Sequence, residues 1–132
     1  MGEKRKIAII DDDEVFHLII QKQLEMKSIS CDLLKFYNGE GAINFFKENL
    51  GENGNLPELV MLDVNMPVKD GWGFLEEFNQ LPSEFRKSIK IYMVTSSVIQ
   101  SDIDRATDHE DVVEFVSKPI TNEKLEEIFL NG

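Results

Sequence analysis

Five short apolar runs alternate along this chain with segments whose apolar residues recur at helical spacing, and that alternation leaves few folds open. The runs are residues 7–10 (IAII), 31–36 (CDLLKF), 59–62 (LVML), 89–95 (IKIYMVT) and 112–116 (VVEFV). Their length and, in four of the five, their β-branched residues predict strands. Between them, Phe16, Ile19, Ile20 and Leu24, then Ala42, Phe45, Phe46 and Leu50, then Phe74, Leu75, Phe78 and Leu81, and last Leu125, Ile128 and Phe129 recur at helical steps. Each set predicts an amphipathic helix. Residues 99–108, poor in apolar side chains, give the weakest of five predicted helices. Parallel strands need helical crossovers, so the alternation predicts an α/β domain with a doubly wound, five-stranded parallel sheet.

In such sheets ligands bind beyond the carboxyl ends of the strands. Here the first predicted strand ends in Asp11-Asp12-Asp13, the third in Asp63, the fourth in Thr95-Ser96-Ser97, and the fifth is followed by Lys118-Pro119. A charge costs little at a strand end open to water and several kcal/mol in a core, which predicts an Asp63 on the rim of the sheet. Singly, each residue has an ordinary explanation as a helix cap, a turn hydroxyl or a solvated charge. Together they put at least three carboxylates, a hydroxyl and an ammonium on one edge. Clustered carboxylates repel and need a cation. Carboxylates and a carbonyl suit Mg²⁺, which leaves room for phosphate oxygens. An aspartate beside that ion can attack phosphorus, and phosphoryl transfer chiefly needs positioning and charge neutralisation.

Composition excludes other classes. The 14 basic and 25 acidic residues give a net charge of −11, which argues against nucleic acid and anionic membrane as partners. The single cysteine, Cys31, excludes an internal disulfide, and no apolar run reaches membrane-spanning length. A single cytoplasmic domain over 1–132 is expected, with a core that needs no structural metal.

The motifs IAIIDDDE (7–14), VMLDVNMPVKDGWGFL (60–75), IYMVTSS (91–97) and FVSKP (115–119), in that order, resemble the receiver domain of two-component response regulators over nearly the whole chain. This resemblance implies a stand-alone, chemotaxis-type member, with no output domain expected beyond the receiver. The resemblance implies a flavodoxin-like (βα)5 fold with strand order 2-1-3-4-5. It implies a phosphoacceptor, Asp63, with Asp12 as direct Mg²⁺ ligand, Asp11 acting largely through water and Asn65 giving its backbone carbonyl. Lys118 would pair with the acidic cluster and bind the phosphoryl group. Thr95 would be the switch hydroxyl and Phe115 the aromatic that follows it, here without a tyrosine hydroxyl. The Lys118-Pro119 bond would be cis, and Asn65 and Ser97 would tune phosphate lifetime. The implied partners are a sensor histidine kinase or a phosphotransfer protein and a downstream protein target. The fourth and fifth predicted helices with the fifth strand would form the switching face of a monomer or weak dimer. The chain would be a switch that assists its own phosphorylation, not an enzyme.

Rival functions fit less well. A flavin phosphate would meet three aspartates, and an aspartate-nucleophile phosphatase would carry an acid where Asn65 stands. DDDE lacks the alternating carboxylates and glycine of a calcium loop. The strongest alternative is a degenerate receiver that binds partners without being phosphorylated. Of the remaining residues, Asp13 is expected to cap the first helix, Gly71 to serve a tight turn, His17 and His109 to be at the surface or half-buried, Cys31 to fill core space, and Trp72 to be half-buried beside the site. Residues 51–58 and 81–88 read as loops, the second with room for a helical turn.

Overall fold

A computed structural model describes residues 5–51, 55–96 and 99–131. The strands are β1 (Arg5–Ile10), β2 (Cys31–Phe36), β3 (Leu59–Leu62), β4 (Lys90–Thr95) and β5 (Val112–Ser117). The helices are α1 (Glu14–Met26), α2 (Gly39–Glu48), α3 (Gly71–Phe78), α4 (Ser83–Arg86), α5 (Gln100–Asp108) and α6 (Asn122–Asn131). The strands form one parallel sheet in the order β2-β1-β3-β4-β5. The four-residue α4, in the loop that had room for a turn, makes six helices among the described residues rather than five. The switching helices of the expected face are therefore α5 and α6. Ser97 and residues 52–54 lie outside the described residues.

Two-residue alternation sends each strand's side chains to opposite faces. Ile7, Ile9, Leu59, Met61, Tyr92 and Val94 pack with Phe16, Ile20 and Leu24 of α1 and with Leu125, Ile128 and Phe129 of α6. Ala8, Ile10, Val60, Leu62 and Met93 pack with Ala42, Ile43 and Phe46 of α2, Phe74, Leu75 and Phe78 of α3, and Ala106 of α5. The central strands are buried on both faces, and β3 has four buried residues out of four. That explains why its sequence is a continuous apolar run rather than an alternating one.

Three helices, α1, α2 and α3, are held at their starts by side chains suited to that task. Asp13, Asn38 and Asp70 accept from the amides of Val15, Gly41 and Gly73 respectively, at 2.9, 2.9 and 2.8 Å. Each bond satisfies an amide that the first helical turn leaves without a partner. On α1 the buried set differs from the expected one: Ile19 is 49% exposed, and His17 is buried at 1%. Counting about 100° per residue, Phe16, Ile20, Leu24 and His17 share an arc of about 100°, and Ile19 falls about 60° outside it. The helix docks on that arc, so a histidine enters the core and an isoleucine faces water.

Gly71 begins α3 where the helix touches the end of β3. A Cβ there would overlap the Asp63 carbonyl oxygen and sit 3.1 Å from Val64 Cα, both of them backbone atoms that have no room to give. The Gly71 amide donates to Val64 O at 2.9 Å, which holds the two segments at that separation. Gly71→Ala is expected to destabilise the protein by about 3 kcal/mol, the upper end for overpacking, measured by chemical unfolding. A loss below about 0.5 kcal/mol, typical of a surface substitution, would contradict this packing.

Candidate phosphoacceptor and metal pocket

Parallel pairing brings the expected residues to one edge. Ile10 and Leu62 are ladder partners, so Asp11 and Asp63 leave the sheet side by side, with the Asp63 amide donating to Ile10 O at 2.9 Å. Thr95 closes β4 opposite Ser117, and the next amide, of Lys118, donates to Thr95 O at 2.9 Å. The Lys118-Pro119 peptide is cis. Ligand atoms of Asp11, Asp12 and Asp63 lie within 4.8 Å of one another. Among the described residues no other group of three acidic, histidine or cysteine side chains comes as close.

The pocket is drier than a charge at a strand end suggests. Asp63 is 7% exposed, Asp11 and Thr95 1% each, while Asp12 and Asn65 face solvent. The expected open rim is thus corrected: three of its polar groups are buried, and Asp12 and Asn65 alone of the carboxylate and carbonyl donors stay in water. Lys118 Nζ lies 2.7 Å from Asp11 Oδ2 and 4.0 Å from Asp63 Oδ2, with its charge 4.4 Å from the centre of the Phe16 ring. The ammonium therefore belongs first to Asp11. Asp63 keeps a hydrogen bond from the Thr95 hydroxyl and one from the Val64 amide, the latter at 2.8 Å.

Burial raises the Asp63 carboxyl above its ordinary range, and the charge of Asp11 raises it further. Lys118 and the bonds from Thr95 and Val64 oppose the rise without cancelling it. One ammonium does not balance two buried carboxylates, and Asp12 adds a third beside them. A divalent hard cation is what such a donor set lacks. The three aspartates and the Asn65 carbonyl are the groups that could hold it.

The loop that carries Asn65 is braced from α2. Pro67, Val68 and Lys69 form a γ-turn, with Lys69 N–H donating to Pro67 O at 2.8 Å and Val68 at φ 68°. The Gly39 amide then donates to Lys69 O at 2.8 Å, and the Lys69 ammonium pairs with Glu77 of α3 and, at 3.4 Å, with Glu40 of α2. A valine at positive φ is strained backbone, here held by contacts to two helices.

Phe115 is half-buried, opposite Met93 in the ladder and against the core on the α2–α3–α5 side. Trp72 is half-buried as expected, but it faces α5, whose Arg105 guanidinium lies 4.3 Å from its ring centre. His109 and Cys31 are both half-buried. Sequence reasoning missed His17, whose Nε2 donates to the Asp11 carbonyl at 2.8 Å. Its place on the buried arc of α1 was the available signal.

The sequence pattern of the response regulator receiver domain matches residues 7–130. The chain belongs to that family. Response regulator Rcp1 of Synechocystis is 30% identical over 98 residues, which are 74% of this chain and 65% of Rcp1. The Mn²⁺-bound structure of Rcp1 superposes with a TM-score of 0.76 at 25% identity, covering 94% of this chain and 88% of that one. A two-component response regulator from Cytophaga hutchinsonii reaches a TM-score of 0.87 at 24% identity, covering 98% and 97%, which shows the shared flavodoxin-like fold. Among the described residues no helix of this receiver is long and apolar enough to cross a membrane.

Proposed function

We propose that this receiver is a phosphorylation-activated switch in a two-component phosphorelay, with Asp63 as the phosphoacceptor. The observation that carries this reading is the convergence of Asp11, Asp12 and Asp63, with ligand atoms within 4.8 Å, on a rim that also holds Lys118 and Thr95. A sensor histidine kinase or a phosphotransfer protein supplies phosphohistidine. An Asp63 oxygen attacks phosphorus, the phosphorus–nitrogen bond breaks, and its electron pair returns to the donor imidazole. A divalent ion such as Mg²⁺, when bound, would supply neutralisation of the phosphoryl charge beside the aspartates. Asp12 would hold it directly, with Asp63 in the same set, Asp11 largely through water and Asn65 through its backbone carbonyl. That Rcp1 has been seen with Mn²⁺ supports a divalent ion here.

Lys118, 4.0 Å from Asp63 Oδ2, is placed to take a phosphoryl oxygen. Thr95 exchanges its bond to Asp63 for one to that oxygen, and Phe115, one strand over, fills the space behind it. Hydrolysis at the same site resets the switch, so the chain turns over no separate substrate. The α5–β5–α6 face then changes its affinity for a downstream protein target by population shift. Ala106 is the one buried residue of α5, and few buried contacts mean a low cost of moving that helix. The setting is the cytoplasm, where a kinase's catalytic domain meets its receiver.

Intact-protein mass after incubation with acetyl phosphate tests the chemistry. A gain of one phosphoryl group only in the presence of Mg²⁺ is expected. Thr95→Ala should still be labelled, but its α5–β5–α6 amide resonances should shift much less on labelling than those of the wild type. Neither label nor Mg²⁺ binding would instead favour a receiver that binds partners without phosphorylation.

A further inference from the structure

Asp11 is 1% exposed, and its polar groups all have partners. Its amide donates to Phe36 O at 3.0 Å, Oδ1 accepts from the Asp13 amide at 2.8 Å, and Oδ2 takes Lys118 at 2.7 Å. The remaining group, the carbonyl, leaves the sheet ladder at the end of β1 and accepts from His17 Nε2 at 2.8 Å. A buried carbonyl without a partner is costly, and this one is satisfied by a side chain from the first turn of α1.

The Asp11 carbonyl and the Asp12 amide belong to one planar peptide unit. Fixing the carbonyl fixes the plane from which the Asp12 side chain departs. Asp12 itself is exposed, so burial does not hold its side chain in place. His17 is held in turn, buried at 1% with the Tyr37 ring against it at 4.6 Å between centres. Tyr37 directly follows Phe36, whose carbonyl anchors Asp11. A carbonyl can only accept, so the imidazole proton sits on Nε2. Nδ1 is buried without a hydrogen-bond partner.

We propose that His17 is a positioning residue of the metal pocket: through the Asp11 carbonyl it sets the orientation of Asp12 toward the ion. This rests on the metal-dependent reading above. Partners of this indirect kind typically change metal affinity by about 10- to 100-fold when removed. His17→Phe keeps a ring against Tyr37 and drops the donor. His17→Gln places an amide N–H near the position of Nε2.

Mn²⁺ and Mg²⁺ binding would be measured by calorimetry, with the metal-free melting temperature of each variant measured alongside. His17→Phe is expected to weaken both ions by about tenfold, and His17→Gln to recover most of that loss. Equal affinity in His17→Phe and wild type would overturn the proposal, as would equal losses in the Phe and Gln variants, which would mean ring packing alone. If His17→Phe does not fold, the wild-type ¹⁵N spectrum of the imidazole decides. A proton fixed on Nε2, with the Asp12 amide shifting on Mg²⁺ addition, supports the role, and a proton on Nδ1 overturns it. A wild type that binds neither ion would sink the metal-dependent reading itself, and this proposal with it, whereas failure of the variants alone leaves that reading standing.

Discussion

Lys118→Met is expected to lower the stability of the metal-free receiver at pH 7 by about 3 kcal/mol, the lower end of the range for breaking a buried ion pair. The low end applies because the Lys118 side chain keeps 16% exposure while Asp11 keeps 1%. Methionine keeps an unbranched apolar side chain and removes the charge, including its contact with the Phe16 ring, so the loss reports electrostatics rather than a cavity. Asp11 would then sit buried without its cation, and Asp63, already raised by burial and by Asp11, would lose the opposing effect of Lys118. For a domain of 132 residues the melting temperature should fall by roughly 10 °C. Adding Mg²⁺ should restore part of this, because a ligand that binds only the folded state stabilises it by mass action. Phosphoryl uptake from acetyl phosphate should remain strongly reduced even at saturating Mg²⁺. Thermal melts in chelator and in Mg²⁺ check both halves, and an unchanged metal-free melting temperature would show that the 2.7 Å pair carries no net stability.

Asp63→Asn is expected to abolish labelling and, without metal, to make the protein more stable at neutral pH. The amide is close in shape to the protonated carboxyl but carries no charge, so it removes the burial penalty and the repulsion from Asp11. The pH dependence follows from the raised carboxyl. A group that binds its proton more tightly when folded stabilises the fold fully below its unfolded value, and that contribution is lost as pH rises through the folded value. The stability gap between variant and wild type should therefore be near zero in acid, open as pH rises above about 4, and level off once Asp63 is ionised. Mg²⁺ should narrow it, stabilising the wild type more than the variant. Denaturant melts across pH in chelator test the gap, and a variant no more stable at pH 7 than at pH 3, relative to wild type, would contradict the assigned electrostatics. Retained labelling of Asp63→Asn would move the acceptor elsewhere.

The fold was legible in the sequence because its signals are local. Alternating runs and helical periods report which face of each element is apolar, and crossovers of this length force parallel pairing. Parallel pairing sends every strand's carboxyl end to one edge, so Asp11, Asp63, Thr95 and Lys118 could be placed together with no contact known. The caps were equally local, since Asp13 and its amide partner Val15 are two residues apart. The short α4 was harder to read, being a single turn with no buried residue and no apolar period.

How wet the pocket is, and who pairs with whom, came only with the tertiary structure. Lys118 lies nearer Asp11 than Asp63, across a separation of 107 residues, and periodicity carries no information about such distances. The same holds for the brace between Gly39 and Lys69 and for the ring of Trp72 meeting Arg105. His17 is the clearest case. Its residue type suggests a surface, but its angle on α1 and the cover from Tyr37 bury it against the peptide that joins Asp11 to Asp12. By itself the sequence determined which groups reach the rim, because strand direction is a local property. Only packing between distant segments decided which of them lose water, and loss of water is what sets their charge, their partners and their reactivity.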